Sequence, residues 1–501
     1  MKEAAADLGH LLVFAFLFCV GAFMVAPVIT DVTMAALCPG QDQCSLAIYL
    51  TGLQQAVRAP IPCVHLSASV SWFFVYACTQ LFEPGFGRVQ VIQPRACQAP
   101  GCCLAAAAEY VSERHGTSRS QRAKGSGTSD TVRITGLGAL VVTPVIGNLS
   151  DRYGRKALLA LPATLSIVPL AIMAFNQTRP YFYAFYVAKT LTAMVSEGAM
   201  MCLSLAYVAD KVPEGRRAAA FGVFSGVCTA GFVGGTIAAR FLSVSSTFQV
   251  ATLASVAAAV YLRAFVQETD RGASLLRDEE ASRLLFPPSS SPEEASPRLP
   301  PLRKVPSLSE MATLLTSSST FTRAAVVTFF HGLGETGLQT ALLYFLKAQF
   351  HYTKNQYANL LLIIGITGSF SQLTVMPLLA PRLGEQKLLV VALTGSCVHV
   401  PYLAASCVIL SILVGPCIRS IVSKKVGPSE QGMVQGCITG ISSTASVISP
   451  LVFTPLTAWF LSETAPFNFK GFSLACAGFA MLVALTMSIN MRPAEVQPDT
   501  R

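Results

Sequence analysis

Apolar residues in this chain come in long blocks, and the blocks have the length of bilayer crossings. A helix needs about 20 consecutive apolar residues to span the hydrocarbon core. In the first half, 8–30, 157–175, 181–209, 218–242 and 247–266 qualify; in the second, 321–346, 357–380, 388–422, 433–461 and 472–489 do. The first block starts too charged, with Lys2, Glu3 and Asp7, and runs too long for a cleaved signal peptide. Between the two sets, 267–320 is rich in Ser, Pro, Glu and Arg, including Pro287-Pro288-Ser289-Ser290-Ser291-Pro292. That composition predicts a disordered linker. The pattern therefore predicts an all-α membrane protein of two helical bundles with a polar connection and a tail at 491–501.

One stretch breaks the pattern. The apolar runs 46–57 and 136–147 have about a dozen residues each, roughly 18 Å of helix against a core of about 30 Å. Joined directly, 46–57 and 135–147 make one span of ordinary length. The residues between them, 58–134, include Arg114, Arg119, Arg122, Lys124 and Arg133 among Gly and Ser, and are expected to be foreign to the fold. A genuine loop insertion is the alternative. Pro60–Phe82 is apolar enough to insert by itself, which would reverse the facing of every later loop.

Composition and charge narrow the class. The chain is 52% hydrophobic and 12% charged, where a soluble domain carries about a quarter charged residues. Its surface is too apolar for two or three soluble domains of this total length. The net charge of +10 does not point to nucleic acid, because the basic residues cluster in alternate connections. Arg152, Arg155, Lys156, Lys211, Arg216, Arg217, Arg382, Lys387, Lys424 and Lys425 fall in one set, with the central linker. The other set holds only Arg179, Arg240, Lys347, Lys354 and Lys470. This asymmetry places both termini and the linker in the cytoplasm, and argues against Pro60–Phe82 as a span. Whether the membrane is the plasma membrane or an internal one is left open by this pattern.

The cysteines lie mostly inside apolar blocks, as small hydrophobes do. Cys38 and Cys44 differ, sitting in a polar loop, 31–45, without Lys or Arg. They are a candidate disulfide if the loop faces an oxidising compartment, with two free thiols as the alternative. No spacing matches a metal site, and nothing implies a cofactor.

The halves repeat one another. Asp151-Arg-Tyr-Gly-Arg-Lys156 in the first corresponds to Pro381-Arg-Leu-Gly-Glu-Gln386 in the second; Arg217 precedes Gly222 as Gln431 precedes Gly436. Internal repeats of this kind mark secondary transporters. Moreover, Gly147-Asn-Leu-Ser-Asp151-Arg152-Tyr-Gly154-Arg155-Lys156 resembles the loop 2–3 motif of the major facilitator superfamily, G-x-L-[SA]-D-R-x-G-R-K. Tyr207-Val-Ala-Asp210, followed by Arg217 and Gly222, resembles the drug:proton antiporter branch. Within that branch the chain is similar to plant members of the hippocampus-abundant-transcript-like group, relatives of tetracycline efflux carriers. The likeness covers most of 8–57 and 135–490.

The resemblance implies a major facilitator fold of the twelve-span type, in two six-helix bundles. Residues 1–57 with 135–266 would form the first bundle and 321–490 the second, with span two interrupted. Spans nine and ten would share 388–422, whose 35 residues are long for one crossing and undivided by a polar turn. They are expected to be shortened by a missing stretch near His399–Pro401. The loop motif is implied to be a conformational latch: Asp151 on the N-terminus of span eleven near Met433, Arg155 with Asp210. Gly226, Gly231, Gly234 and Gly235 resemble the antiporter motif of span five, G-x-x-x-G-P-x-x-G-G, with Ala230 and Gly231 at its Gly-Pro. Their bland reading is close helix packing.

Ionisable residues inside spans are costly and are functional candidates by default. His331, Glu335 and Gln339 lie at i, i+4 and i+8 on one helical face. A proton relay or cation site and a purely structural pair are both open. Glu197, with Lys189 two turns earlier, has the same two readings. No nucleophile–base, metal or phosphate-loop motif supports an enzyme. The function expected is alternating-access transport of a small organic solute, proton-coupled antiport or efflux. An uncoupled facilitator and a non-transporting scaffold or receptor stand as alternatives, as does an inactive isoform.

Overall fold

The computed structural model describes residues 2–25, 27–29, 32, 143–151, 153–269, 318–350, 354–397, 409–427, 430–461, 465, 469–489 and 491. The chain divides into two compact units, Met1–Pro60 with Thr135–Arg501, and Ile61–Ile134. The segment 58–134, Cys38, Cys44, Arg152, the linker from 270 to 317 and the tail after Met491 lie outside the described residues.

Every regular element among the described residues is helical. The first half comprises α1 (Lys2–Met24), helical residues 143–151, α2 (Arg155–Leu165), α3 (Ile167–Phe175), α4 (Arg179–Lys211), α5 (Arg217–Ala239) and α6 (Val244–Phe265). The second comprises α7 (Ser319–Phe350), α8 (Lys354–Phe370), a π turn (Ser371–Val375), α9 (Met376–Leu383), α10 (Glu385–Cys397), α11 (Val414–Ser423), α12 (Gln431–Leu461) and α13 (Phe472–Ile489). Among the described residues, eight helical stretches are long and apolar enough to cross a membrane. Their outward faces suit lipid. On α6, Leu253 is 68% and Val260 62% exposed, while Ser255, Thr247 and Ala258 are buried. Large apolar groups outside and small or polar ones inside reverse the soluble pattern.

The internal repeat is visible in the backbone. Gly154 (φ 94°) and Gly384 (φ 75°) are the positive-φ glycines of the described residues, and each starts the helix after a motif loop. At such φ a side chain meets its own backbone, so glycine is required at both repeats. The run 388–422, undivided in sequence, is divided in space: α10 and α11 lie antiparallel. Ser396 Oγ donates to Ser411 Oγ at 2.7 Å, and Lys424 Nζ reaches Glu385 Oε1 at 2.7 Å, pairing the ends crosswise. The 13 described residues of α10 make about 20 Å of helix. The linker is also tighter at its edges than its composition predicts, since the Gln267 carbonyl accepts from Tyr207, Thr269 is buried and α7 begins at Ser319.

Small residues set how closely the helices approach. On α5, a Cβ at Gly226 would sit 2.8 Å from Leu373 Cγ in the π turn, joining the two halves. On the opposite face, a Cβ at Gly231 would be 2.7 Å from Cys19 Cβ, and at Gly235 2.8 Å from the Val20 carbonyl of α1. Gly234 has only the Phe16 ring edge at 4.0 Å. The stripe is thus two separate contacts and one roomy position. Gly231→Val and Gly235→Val are expected to destabilise the purified protein by about 1–3 kcal/mol through overpacking. Gly234→Ala should be neutral, or stabilising by up to about 1 kcal/mol, because alanine favours helix. Thermal unfolding in detergent reads both, and equal losses at all three sites would refute this division of the stripe.

Candidate functional site

A cavity of about 450 Å³ lies between the halves, lined by α1, α4 and α5 from one side and α7, the π turn, 409–423 and α12 from the other. Its wall mixes apolar groups (Phe23, Met201, Ile438) with hydroxyls and amides (Thr229, Ser442, Gln372). The volume falls within the about 300–1,000 Å³ of small-molecule sites. Gln372 bridges the halves at this level: its Oε1 accepts from Thr229 at 3.1 Å, and its Nε2 donates to the Ile412 carbonyl at 3.3 Å.

His331 and Glu335 both line the cavity. His331 Nδ1 is 3.7 Å from Glu335 Oε2, one turn apart on α7. That is too long for a direct hydrogen bond and short enough for an ion pair once the imidazole is protonated. His331 Nε2 is buried without a hydrogen-bond partner among the described residues, while Glu335 is 47% exposed. Gln339, placed on the same face by its spacing, is exposed and does not line the cavity. Lys189 is half-buried on α4; the Glu197 side chain lies outside the described residues.

The loop motif closes one end of this space. Asp151 Oδ1 and Oδ2 accept the Gly432 and Met433 N–H groups, each at 3.1 Å, at the N-terminus of α12. Free amides and the positive helix end favour an anion there. Arg155 bridges the cluster: Nη2 to Asp151 at 2.5 Å, Nε to Asp210 at 2.8 Å, and Nη1 to Ser150 Oγ at 2.6 Å. Backbone meets backbone beside it, where a Cβ on Gly147 or Gly432 would collide with the other's carbonyl. Gly436 likewise lies against Pro144, with 2.6 Å left for a Cβ. The Cys202 thiol caps the crossing by donating to the Gly432 carbonyl at 3.4 Å.

Several members of this seal were invisible to sequence reasoning. Glu268, in the expected linker, accepts Arg155 N–H at 2.6 Å and Lys156 N–H at 3.1 Å, capping α2. A Cβ on Gly154 would stand 2.7 Å from the same carboxylate, so this glycine serves both turn and cap. Lys156 Nζ donates to the Arg263 carbonyl. Lys211 pairs with Asp7 at 3.1 Å, and Arg217 Nη1 donates to the Ser423 carbonyl at 3.0 Å. These partners are 107 to 206 residues apart, and no short motif announces them. Arg419, on the cavity wall, was also missed: it lies inside an apolar run that reads as plain span.

Burial raises the Asp151 carboxyl from 3.8 to about 6, outweighing the opposing pull of Arg155 and the two α12 amides. Opening the seal would return it to water and its ordinary range. Between about pH 4 and 6 the closed form then holds more proton, so it gains population as pH falls through that window. Distance measurements between spin labels at Tyr153 and Glu430, both exposed, should show the sealed population growing from pH 7 to 5. Asp151→Asn is neutral at every pH, so it should hold the sealed population near its low-pH level and abolish the pH dependence. A pH-independent distance in the unmodified chain would refute the assignment.

Residues 103–325 match the family model of the Major Facilitator Superfamily, a match that begins within 58–134. The class H tetracycline resistance protein of Pasteurella multocida is 21% identical over 328 residues, 63% of this chain and 75% of that one. The human hippocampus abundant transcript 1 protein is 23% identical over 335 residues, 64% of this chain; the match spans 63% of its own length. Among solved structures, the human organic anion transporter MFSD10 superposes with a TM-score of 0.58 at 15% identity, covering 98% of this chain and 99% of that one. Members of the superfamily are transporters, not enzymes. The chain matches the Major Facilitator Superfamily model over residues 103–325 and has the fold of that superfamily's solved structures.

Proposed function

We propose that this chain is a secondary transporter that moves a small organic solute by alternating access, coupled to proton exchange. The observation that carries this reading is one cavity shared by both halves, with a titratable His331–Glu335 pair on its wall and a polar seal at one end. A solute in such a cavity changes sides when the halves rock about it. The seal then works as the latch of the inward gate, on the cytoplasmic side that the basic loops indicate. The bonds from Asp151 and Cys202 to α12 are the ones that cross between the halves, and they break together when that gate opens.

Coupling follows from the pair on α7. A proton on His331 draws Glu335 into an ion pair; a proton on Glu335 frees it. The two arrangements present different charges to the cavity, so solute and proton compete or cooperate there. Glu197, in the middle of α4 with Lys189 two turns earlier, is the second coupling candidate. The resemblance to the drug:proton antiporter branch supports outward movement in exchange for protons, and the tetracycline resistance relative makes tetracycline the first solute to try. The expected insertion at 58–134 belongs to this reading as a segment not needed for transport.

Full-length protein and a form lacking 58–134 are reconstituted in liposomes carrying a pH-sensitive dye, with tetracycline as first probe of a solute panel. Solute-driven proton movement by the shortened form is expected, and Glu335→Gln should lower it by about tenfold or more, the usual range for a positioned proton carrier. Solute flux indifferent to Glu335→Gln and Glu197→Gln would replace the coupled carrier with an uncoupled facilitator. Correctly folded protein that moves no member of the panel, in either form, would overturn transport in favour of a scaffold.

A further inference from the structure

The cavity holds one charge that neither the seal nor the proton pair uses. Arg419, on α11, is on its wall. Its Nη1 donates to Gln435 Oε1 at 3.2 Å and to Thr439 Oγ1 at 3.1 Å, both neutral and both on α12. Gln435 is fixed in turn, its Nε2 donating to the Arg419 carbonyl at 3.3 Å. No carboxylate among the described residues pairs with this guanidinium. The acidic group of the same wall, Glu335, is engaged with His331 on α7.

An arginine inside a span costs about 2.5–3.5 kcal/mol even on insertion scales, and neutral dipoles lower that cost without cancelling the charge. The manner of its anchoring matters as much. Gln435 and Thr439 hold one corner of the fork, Nη1, and fix the plane of the group. The Nε–Nη2 edge has no protein acceptor among the described residues. That edge carries two parallel N–H donors, which match the two oxygens of a carboxylate. On the facing wall, Phe23 and Phe232 meet edge to face at 5.2 Å, an apolar seat within the cavity.

We propose that Arg419 is the anion-recognition residue of the cavity, and that the solute is a small, apolar organic carboxylate. Its carboxylate lies on the Nε–Nη2 edge and its hydrocarbon body against Phe23 and Phe232. The proposal rests on the reading of this cavity as the solute path. It deepens that reading by naming the solute's chemistry: one negative group, since a second would meet the half-exposed Glu335.

Three matched probes test it: 2-naphthoate, the neutral 2-naphthamide and the cationic 2-naphthylmethylammonium. Their binding to the purified full chain in detergent is read by isothermal titration calorimetry at pH 7.5. Naphthoate is expected to bind about tenfold or more tighter than the amide, the value of a charge-assisted bidentate contact, with the ammonium weakest. Arg419→Gln should bring naphthoate down to the affinity of the amide and leave the amide unchanged; Arg419→Lys should fall between. A second variant, Gln435→Glu, keeps the arginine and quenches its charge, and should erase the same preference. Equal affinities for the three probes, or a preference that survives both Arg419→Gln and Gln435→Glu, would overturn the proposal. Equilibrium binding needs no flux, so a preference for amide or ammonium defeats this proposal and leaves transport standing. Absence of flux defeats transport and leaves anion binding standing.

Discussion

The carboxylate of Asp151, held by two amides at the head of α12 and by Arg155, is the contact on which the closed arrangement depends. It is a charge in a nearly dry place, and the surrounding structure follows from making that tolerable. Arg155 neutralises it but brings its own charge, which Asp210 and Ser150 then satisfy. The two amides are available only because a helix begins at Gln431 and leaves its first donors free. They can be reached only because Gly147 and Gly432 let the backbones touch. Removing any one of these conditions strands a buried polar group, so the cluster behaves as a unit.

The same reasoning explains why the halves meet through small residues at two separate places. At the seal, 143–151 and α4 lie against α12; along the cavity, α5 lies against the π turn and α9. In lipid, apolar side chains gain nothing by turning inward, and close packing together with interhelical hydrogen bonds holds helices together. Glycine permits the close packing, while Gln372, Thr229 and Arg217 supply bonds that cross between halves. Such contacts are directional and few. They suit an interface that must come apart and re-form, whereas the interior of each bundle, Phe14 and Tyr207 in one and Leu393 and Cys417 in the other, is continuous apolar packing.

The cavity contrasts with the seal in how it treats charge. The seal closes its ionic network completely, apart from Asp210 Oδ1. The cavity leaves His331 Nε2 without a partner among the described residues and one edge of Arg419 open. Protein interiors satisfy their buried polar groups almost without exception, so unspent donors around an enclosed space are a sign of what that space is for. Glu335 on α7 and Arg419 on α11 also give the cavity a polarity that a purely lipophilic pocket lacks.

Much was readable from the order of residues alone. Block lengths announced membrane helices, and α5, α6, α12 and α13 fall close to the apolar runs that predicted them. The motif pointed to Asp151 with α12 and Arg155 with Asp210, because a chain of short-range rules, turn, charge and helix start, places those groups. The spacing of His331 and Glu335 was enough to put them on one face. What sequence could not supply were contacts between residues far apart in the chain. The cap provided by Glu268, the ties of Lys211 to Asp7 and Arg217 to Ser423, and the folding of 388–422 into an antiparallel pair belong to that class. Arg419 belongs there too, since one arginine in an apolar run has no periodicity to betray it. Local pattern decides which segments are helices, because helix formation and membrane insertion depend on nearby residues. Which of their polar groups end up facing each other depends on how the helices pack, and only the tertiary structure decides that.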